Sequence, residues 1–363
     1  PVLSRFANLS ANEKTTRSRF LVWQMSWEGV KERPILGWGQ ENYFDVFAKH
    51  YIPRMYDQEP FFDRAHNIVF DWLVNAGFLG LIAYLALFVS AYMAIARAFK
   101  EKKLSFMESS IIGFLLLAYF IQNLFVFDSI NTYVLFFTFL AYLHAHAEFT
   151  RDEKENARVN GSSSALVVRA AGVGALALVV MSGVAYVANI RPIRESQSLI
   201  DVLRLLSAQV APSEVLAQFD KTLAYRTFGD GEVIEQFSRL ATDLVRRTDV
   251  GTEQKSAFVT AALSALEDQA KRNPRDLKVR LASGALYNVA SPLDPTYLDK
   301  GKEHIEKAIE ISPGRQSTYF LLADNLLIRN DGAGALQALG TAVDLEPSNV
   351  LAQTNLAYIA LNV

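Results

Sequence analysis

The stretch IVFDWLVNAGFLGLIAYLALFVSAYMAIA occupies residues 68–96, and Asp71 is its one charged side chain. A helix rises about 1.5 Å per residue, so roughly 20 apolar residues cross the ~30 Å hydrocarbon core of a bilayer. The stretch therefore predicts a transmembrane helix. Four basic residues follow it within residues 97–103, and short loops rich in Lys and Arg lie on the cytoplasmic side of membranes. We expect the residues before position 68 to be extracytoplasmic.

Three further apolar stretches follow along the chain. They occupy residues 111–127, 132–147 and 165–190. The polar turn at residues 128–131 favours a helical hairpin, and a charged, Gly/Ser-rich linker at residues 151–164 precedes the last stretch. Counting four crossings from the basic loop places residues 1–66 and 191–363 on the same extracytoplasmic face of the cytoplasmic membrane.

After residue 191 the pattern changes to amphipathic helices with interspersed charges. The sequence KAIEISP ends at Pro313 and recurs as TAVDLEP ending at Pro347, a spacing of 34 residues. This is the tetratricopeptide period, in which stacked helix pairs bury their apolar faces against one another. The expected apolar and small positions of this repeat are Tyr319, Leu322, Ala323, Leu326, Ala335, Leu339 and Ala342. Such stacks bind peptides or proteins in a groove. A role of the repeats as a spacer or scaffold only is the alternative.

The composition excludes several classes of function. The net charge of −2 offers no positive field for nucleic acid, so we expect no nucleic-acid partner. The absence of cysteine excludes disulfides, thiolate catalysis and cysteine-ligated metals. The chain begins at Pro1 in polar sequence, and we expect it to be the C-terminal part of a longer protein.

Residues 17–67 contain the best candidates for chemistry. The loop is rich in arginine and predicts an anionic ligand, since guanidinium groups bind phosphate oxygens in pairs of hydrogen bonds. The five arginines are Arg17, Arg19, Arg33, Arg54 and Arg64. Anchoring of the loop to lipid headgroups is the alternative for these arginines. His66 precedes the first span and is the best general-base candidate, although a helix-cap or interfacial role is open. His304 is expected to face solvent.

This loop and the spans behind it resemble the O-antigen ligase and polymerase family of membrane glycosyltransferases. The resemblance rests on motifs whose order and spacing are more specific than any one of them. They are R-x-x-x-W at residues 19–23, PILGWG at 34–39, NYF at 42–44, AHN at 65–67 and GFLG at 77–80.

The resemblance implies transfer of a glycan from undecaprenyl diphosphate to a hydroxyl group of a glycan, lipid or protein acceptor, with inversion and without a metal or other cofactor. It implies that Arg19 holds the diphosphate and that His66 activates the acceptor. Arg17 and Arg64 are predicted as secondary diphosphate ligands because of their charge and proximity, and no family motif contains them. A polymerase, a protein O-oligosaccharyltransferase and a non-enzymatic membrane-anchored repeat scaffold are alternatives.

The predicted fold class is all-α, with part of a transmembrane helical bundle followed by a soluble α-solenoid of tetratricopeptide type. The predicted organisation is an extracytoplasmic loop of catalytic type at residues 1–66, three transmembrane helices at 67–150, a cytoplasmic linker at 151–164, a fourth transmembrane helix at 165–190, a helical capping region at 191–253 and tetratricopeptide-like repeats at 254–363.

Overall fold

The computed structural model describes residues 14–148, 164–208 and 210–362, and their regular elements are all helical. They form two compact units, one within Pro1–Ser162 and the other within Ser163–Val363. The first unit contains α1 (Lys14–Glu32), α2 (Tyr43–Lys49), a 3₁₀ turn (Pro53–Met55), α3 (Ile68–Lys100), α4 (Phe106–Asn123) and α5 (Ile130–Glu148). The second contains α6 (Ser164–Ala185), a π-helical turn (Tyr186–Ile190), α7 (Arg191–Ser207), α8 (Pro212–Leu223), α9 (Asp230–Arg246), α10 (Thr252–Arg272), α11 (Leu277–Ala290), α12 (Tyr297–Ile311), α13 (Gln316–Ile328), α14 (Gly332–Leu345) and α15 (Val350–Asn362).

Three of the described helices are long and apolar enough to cross a membrane. They are Ile68–Lys100, Phe106–Asn123 and Ala171–Ser207. The apolar part of α5, Ile130–Ala145, is shorter, so a crossing at residues 132–147 stays a prediction. Helix α4 begins ahead of the predicted residue 111 because Ser105 and Glu108 form a capping box at its start. The all-α fold of membrane helices followed by a helical solenoid is confirmed.

Helix α3 is not the continuous span that its hydropathy predicted, because it is broken at Gly77. Gly77 has φ 65° and ψ −165°, a conformation essentially restricted to glycine. Residues 34–39 lie against the break and pair with its backbone on both sides. The four hydrogen bonds run from Trp38 N to Val74 O (2.7 Å), Gly39 N to Asn75 O (2.9 Å), Phe78 N to Pro34 O (2.7 Å) and Leu79 N to Ile35 O (3.4 Å). The motifs PILGWG and GFLG therefore meet in one backbone junction.

This junction explains the glycines and the apolar tip of residues 34–39. Backbone groups can leave helical pairing at membrane depth only where protein covers them, and these residues supply that cover. A Cβ atom at Gly37 would lie 2.7 Å from Ala76 N, and one at Gly77 would collide with Ile35 O, so both positions exclude side chains. The exposed fractions of Ile35 and Leu36, 63% and 72%, suit contact with lipid.

The loop ahead of α3 has a hydrophobic core of its own. Its fully buried members are Val22, Met25, Val46, Phe47, Ala65 and, from α3, Val74. Trp38 Nε1 donates to Gly29 O over 2.9 Å, and the Arg33 guanidinium lies 4.3 Å from the Trp38 ring centre. These contacts fix residues 34–39 against α1, so the junction is held from two sides.

The second unit continues from its membrane helix into stacked helix pairs. In the predicted repeat between Pro313 and Pro347, five of the seven expected positions are buried, and the other two, Tyr319 and Leu322, are partly buried. The buried five are Ala323, Leu326, Ala335, Leu339 and Ala342. Helices α13 and α14 thus form the helix pair that the 34-residue period predicts.

The expectation that His304 faces solvent is wrong. Only 4% of the residue is exposed, because α11 packs against the α12 face that carries it and the Glu267 side chain of α10 covers its ring. Its Nε2 lies 3.0 Å from Glu267 Oε1, and its Nδ1 lies 3.3 Å from Arg280 Nη1. Burial lowers the pKa of His304, and the Glu267 carboxylate opposes that shift only in part. His304 therefore belongs to the packing between repeats.

Candidate functional site

The candidate site is built where α1 meets the start of α3. Trp23, in the middle of α1, donates from Nε1 to Ala65 O over 2.9 Å, and its ring stacks on Phe70 at 6.0 Å. Arg19 lies one helical turn before Trp23, so it shares a face of α1 with this contact. The R-x-x-x-W motif thus places Arg19 one turn from Trp23, whose side chain holds Ala65, the residue directly before His66.

The backbone on both sides of His66 is fixed by hydrogen bonds. Ala65 N donates to Asp71 Oδ1 over 2.8 Å. Asn67 caps α3, since its Oδ1 accepts a hydrogen bond from Val69 N (2.9 Å). Its Nδ2 donates to Leu124 O (3.0 Å) and so ties the start of α3 to the end of α4. His66 itself has φ 52°, in the left-handed region that few residues other than glycine adopt. A strained residue between two fixed neighbours is a common arrangement at functional sites.

The environment of His66 favours its neutral form. The ring is half-buried and makes edge contacts with Phe62 (5.7 Å between centroids) and Phe127 (5.1 Å). Burial lowers the pKa of His66, and the positive charge of Arg19 lowers it further. Among the residues that the structure describes, none hydrogen-bonds to the imidazole. A neutral imidazole with an unused ring nitrogen can accept a proton.

The three candidate arginines differ in their surroundings. Arg19 is half-buried near His66 and has no ion pair within the described part of the chain. Arg64 pairs with Glu41 (Nη2 to Oε1, 2.8 Å), and its guanidinium lies 5.5 Å from the ring centre of Phe127, which His66 also contacts. Arg17 is exposed, and two residues of separation place it on a different face of α1 from Arg19. The structure thus brings Arg19, His66 and Arg64 together and leaves Arg17 apart.

Buried carboxylates lie behind this cluster. Asp71 and Asp128 are each 4% exposed, and with Arg64 and Asn75 they border a small cavity of about 20 Å³, room for about one water. Asp128 Oδ1 accepts hydrogen bonds from three side chains of the α4–α5 hairpin. These are Tyr119, Asn123 (2.9 Å) and Thr132 (3.2 Å).

Sequence reasoning found some of these groups and missed others. Asp71 and Asn75 lie four residues apart within an apolar stretch, and a polar pair so placed is predicted to face the protein interior because contact with lipid is costly. The burial of Asp71 confirms this prediction for the carboxylate. The pairing of Glu41 with Arg64 and the shared wall of Phe127 were missed, because no local pattern signals them. No group of three or more His, Asp or Glu that could hold a metal ion occurs within residues 14–148, 164–208 and 210–362.

Comparisons with known proteins bear on this region. Residues 2–85 match the family model described as O-Antigen ligase, a range that contains all the motifs from R-x-x-x-W to GFLG. The resemblance is thereby confirmed, and it supports a membrane enzyme of the O-antigen ligase or polymerase type. Among solved structures, a thermophilic TPR protein of Thermus thermophilus is similar, with 17% identity and a TM-score of 0.33 over 46% of this chain and 82% of that one. No curated protein sequence matches the chain.

Proposed function

We propose that the protein transfers a glycan from undecaprenyl diphosphate to a hydroxyl acceptor at the extracytoplasmic face of the cytoplasmic membrane. The family match over residues 2–85 supports the enzyme type. The observation that supports the mechanism is the half-buried position of His66, held by its backbone where α3 begins. There burial and the charge of Arg19 lower the pKa of His66.

In this mechanism His66 is the general base. The acceptor hydroxyl oxygen attacks the anomeric carbon of the donor glycan, and His66 takes the hydroxyl proton. The bond between the anomeric carbon and the diphosphate oxygen breaks, and its electron pair leaves with the diphosphate. Attack from the face opposite the leaving group inverts the anomeric centre. Because its pKa lies below the ordinary value near 6.5, most of His66 is in the basic form at pH 7.

Arg19 is the proposed ligand of the diphosphate. A leaving diphosphate gains negative charge as its bond breaks, and a fixed guanidinium stabilises that charge without a metal. Arg19 has no carboxylate partner in the described chain, whereas the charge of Arg64 is partly balanced by Glu41. We therefore expect Arg19 to contribute most, Arg64 less, and the separated Arg17 least.

The same site chemistry serves related reactions. A polymerase uses a second lipid-linked glycan as acceptor, and a protein O-oligosaccharyltransferase uses a protein hydroxyl. The helical repeats give a place for a protein or peptide partner, which favours an acceptor delivered by protein contact. A membrane-anchored scaffold without catalysis would also use the repeats, but it would leave His66 and Arg19 without a role.

The test follows glycan release from its lipid carrier in membranes that contain the full-length protein and an undecaprenyl-diphosphate-linked glycan. We expect His66→Ala and Arg19→Ala to lower transfer at least 100-fold, the lower end expected for an essential base or charge-stabilising group. The matched controls are His144→Ala and Arg54→Ala, two exposed positions of the same unit. Normal transfer by His66→Ala or Arg19→Ala, with insertion confirmed, would refute the proposed role of that residue. Absence of transfer by the wild-type protein would favour the scaffold.

A further inference from the structure

The second unit has a polar cleft directly beyond its membrane helix. The first charged residue after the apolar run is Arg191, and the helix continues past it as α7 to Ser207. Between α7 and α8 lies an open cleft of about 680 Å³, bordered by Arg194, Gln197 and Lys221 among others. None of these residues belongs to the site proposed for glycan transfer.

The height of this cleft above the hydrocarbon follows from helix geometry. At about 1.5 Å per residue, Arg194 lies roughly 6 Å beyond Ile190. The headgroup layer on each side of a bilayer is roughly 5–8 Å thick. Arg194 therefore lies among the headgroups, and the cleft opens from that level away from the membrane.

The loop between α8 and α9 returns to the same level. Arg191 Nη2 donates to Tyr225 O, and Thr227 Oγ1 donates to Glu195 Oε2, so the loop is bound to the first turn of α7. The next residue, Phe228, is 83% exposed. A large apolar side chain so exposed beside a membrane helix is suited to the lipid interface.

The charges at the cleft select an anion. Arg194 and Lys221 are both exposed, and neither forms an ion pair within the described residues. The one carboxylate at the cleft, Asp201, is paired with Arg204 at 3.0 Å. The cleft therefore presents two uncompensated cations and the amides of Gln197 and Gln218, a set that suits phosphate oxygens and sugar-like hydroxyls.

We propose that the cleft between α7 and α8 binds the headgroup of an anionic phospholipid, with Phe228 inserted beside it among the acyl chains. Arg194 and Lys221 bind the phosphate, and the two glutamines bind the polar part of the headgroup. This contact fixes the start of the solenoid to the membrane surface. It is independent of the glycan-transfer site and of which face of the membrane the unit occupies.

Binding of the anionic lipid is tested with the full-length protein reconstituted in nanodiscs of phosphatidylcholine and phosphatidylglycerol. After detergent extraction, native mass spectrometry counts the retained phosphatidylglycerol. We expect the double variant Arg194→Gln/Lys221→Gln to retain at least fivefold less than wild type. The control Arg246→Gln/Arg275→Gln, two exposed cations of the same unit, should retain the wild-type amount. Equal retention by both double variants, or full displacement of the lipid by inorganic phosphate, would overturn the proposal.

The insertion of Phe228 is tested separately. Because the chain has no cysteine, the substitution Phe228→Cys lets a single fluorescent label be attached at position 228 of the chain. The substitution Tyr358→Cys in the terminal helix α15 places the same label at a second exposed position as a control. We expect nitroxide-labelled lipids to quench the label at position 228 severalfold more than the label at 358. Equal quenching at the two positions would overturn the insertion.

Discussion

Substitution of Gly77 by alanine should separate residues 34–39 from the break in α3. The new Cβ would collide with Ile35 O, and alanine disfavours the φ of 65° that the break requires. A residue forced into this region costs about 1–3 kcal/mol. The four junction hydrogen bonds contribute roughly 2–6 kcal/mol together, at about 0.5–1.5 kcal/mol each. We therefore expect the free energy of unfolding of the first unit to fall by at least about 3 kcal/mol.

Two measurements on the detergent-solubilised protein check this expectation. The unfolding midpoint should fall by roughly 6–12 °C, at about 2–4 °C per kcal/mol for a unit of this size. Amide hydrogen exchange should rise at Trp38 and Phe78, which donate across the junction. Gly113→Ala in α4 is the control, because its Cβ would meet Tyr92 at an ordinary 3.6 Å. The reasoning is refuted if Gly77→Ala unfolds and exchanges like wild type.

Three further substitutions test other contacts. Trp23→Phe keeps an aromatic ring but loses the hydrogen bond to Ala65 O, so kcat for glycan transfer should fall while membrane insertion is unchanged. An unchanged kcat would contradict the role of Trp23 in positioning His66. Asn325→Ala removes the donor to Asn288 Oδ1 (2.6 Å) and should lower the free energy of unfolding by about 1–3 kcal/mol in denaturant titrations, whereas no loss would show that the pair is dispensable. Because burial lowers the pKa of His304, the unfolded chain binds more protons below about pH 6.5, and stability falls on acidification. His304→Gln should reduce that fall between about pH 7 and 5 in thermal unfolding, and an unchanged pH slope would contradict the assignment.

The parts of the fold that sequence predicted are those with a local signal. Hydropathy predicted the three candidate membrane helices, because about 20 apolar residues are needed whatever packs around them. The 34-residue period gave the α13–α14 pair, since small residues must recur where helices approach closely. The break at Gly77 was missed because hydropathy averages over a window, and a glycine within an apolar run is equally compatible with an unbroken helix. Its cause, residues 34–39, lies some 40 residues earlier in the chain.

The candidate site shows the same division. The family motifs indicated His66 and Arg19, and the structure places the His66 imidazole within reach of the Arg19 charge. What holds them was not predictable, since the partner of Trp23 is a backbone carbonyl 42 residues away. His304 was misjudged for a related reason: its burial depends on helices of the preceding repeat, and its own amphipathic pattern does not encode them.

The junction and the candidate site are parts of one arrangement. The break at Gly77 leaves residues 68–76 as a short helical segment between two tertiary contacts. Asn67 caps its beginning, and residues 34–39 bind the backbone at its end. Asp71 lies within this segment and accepts from Ala65 N, so any shift of the segment moves the backbone that carries His66. Substitutions in PILGWG should therefore lower glycan transfer without contacting the substrate, because they act on His66, the proposed general base, through the position of a helical segment.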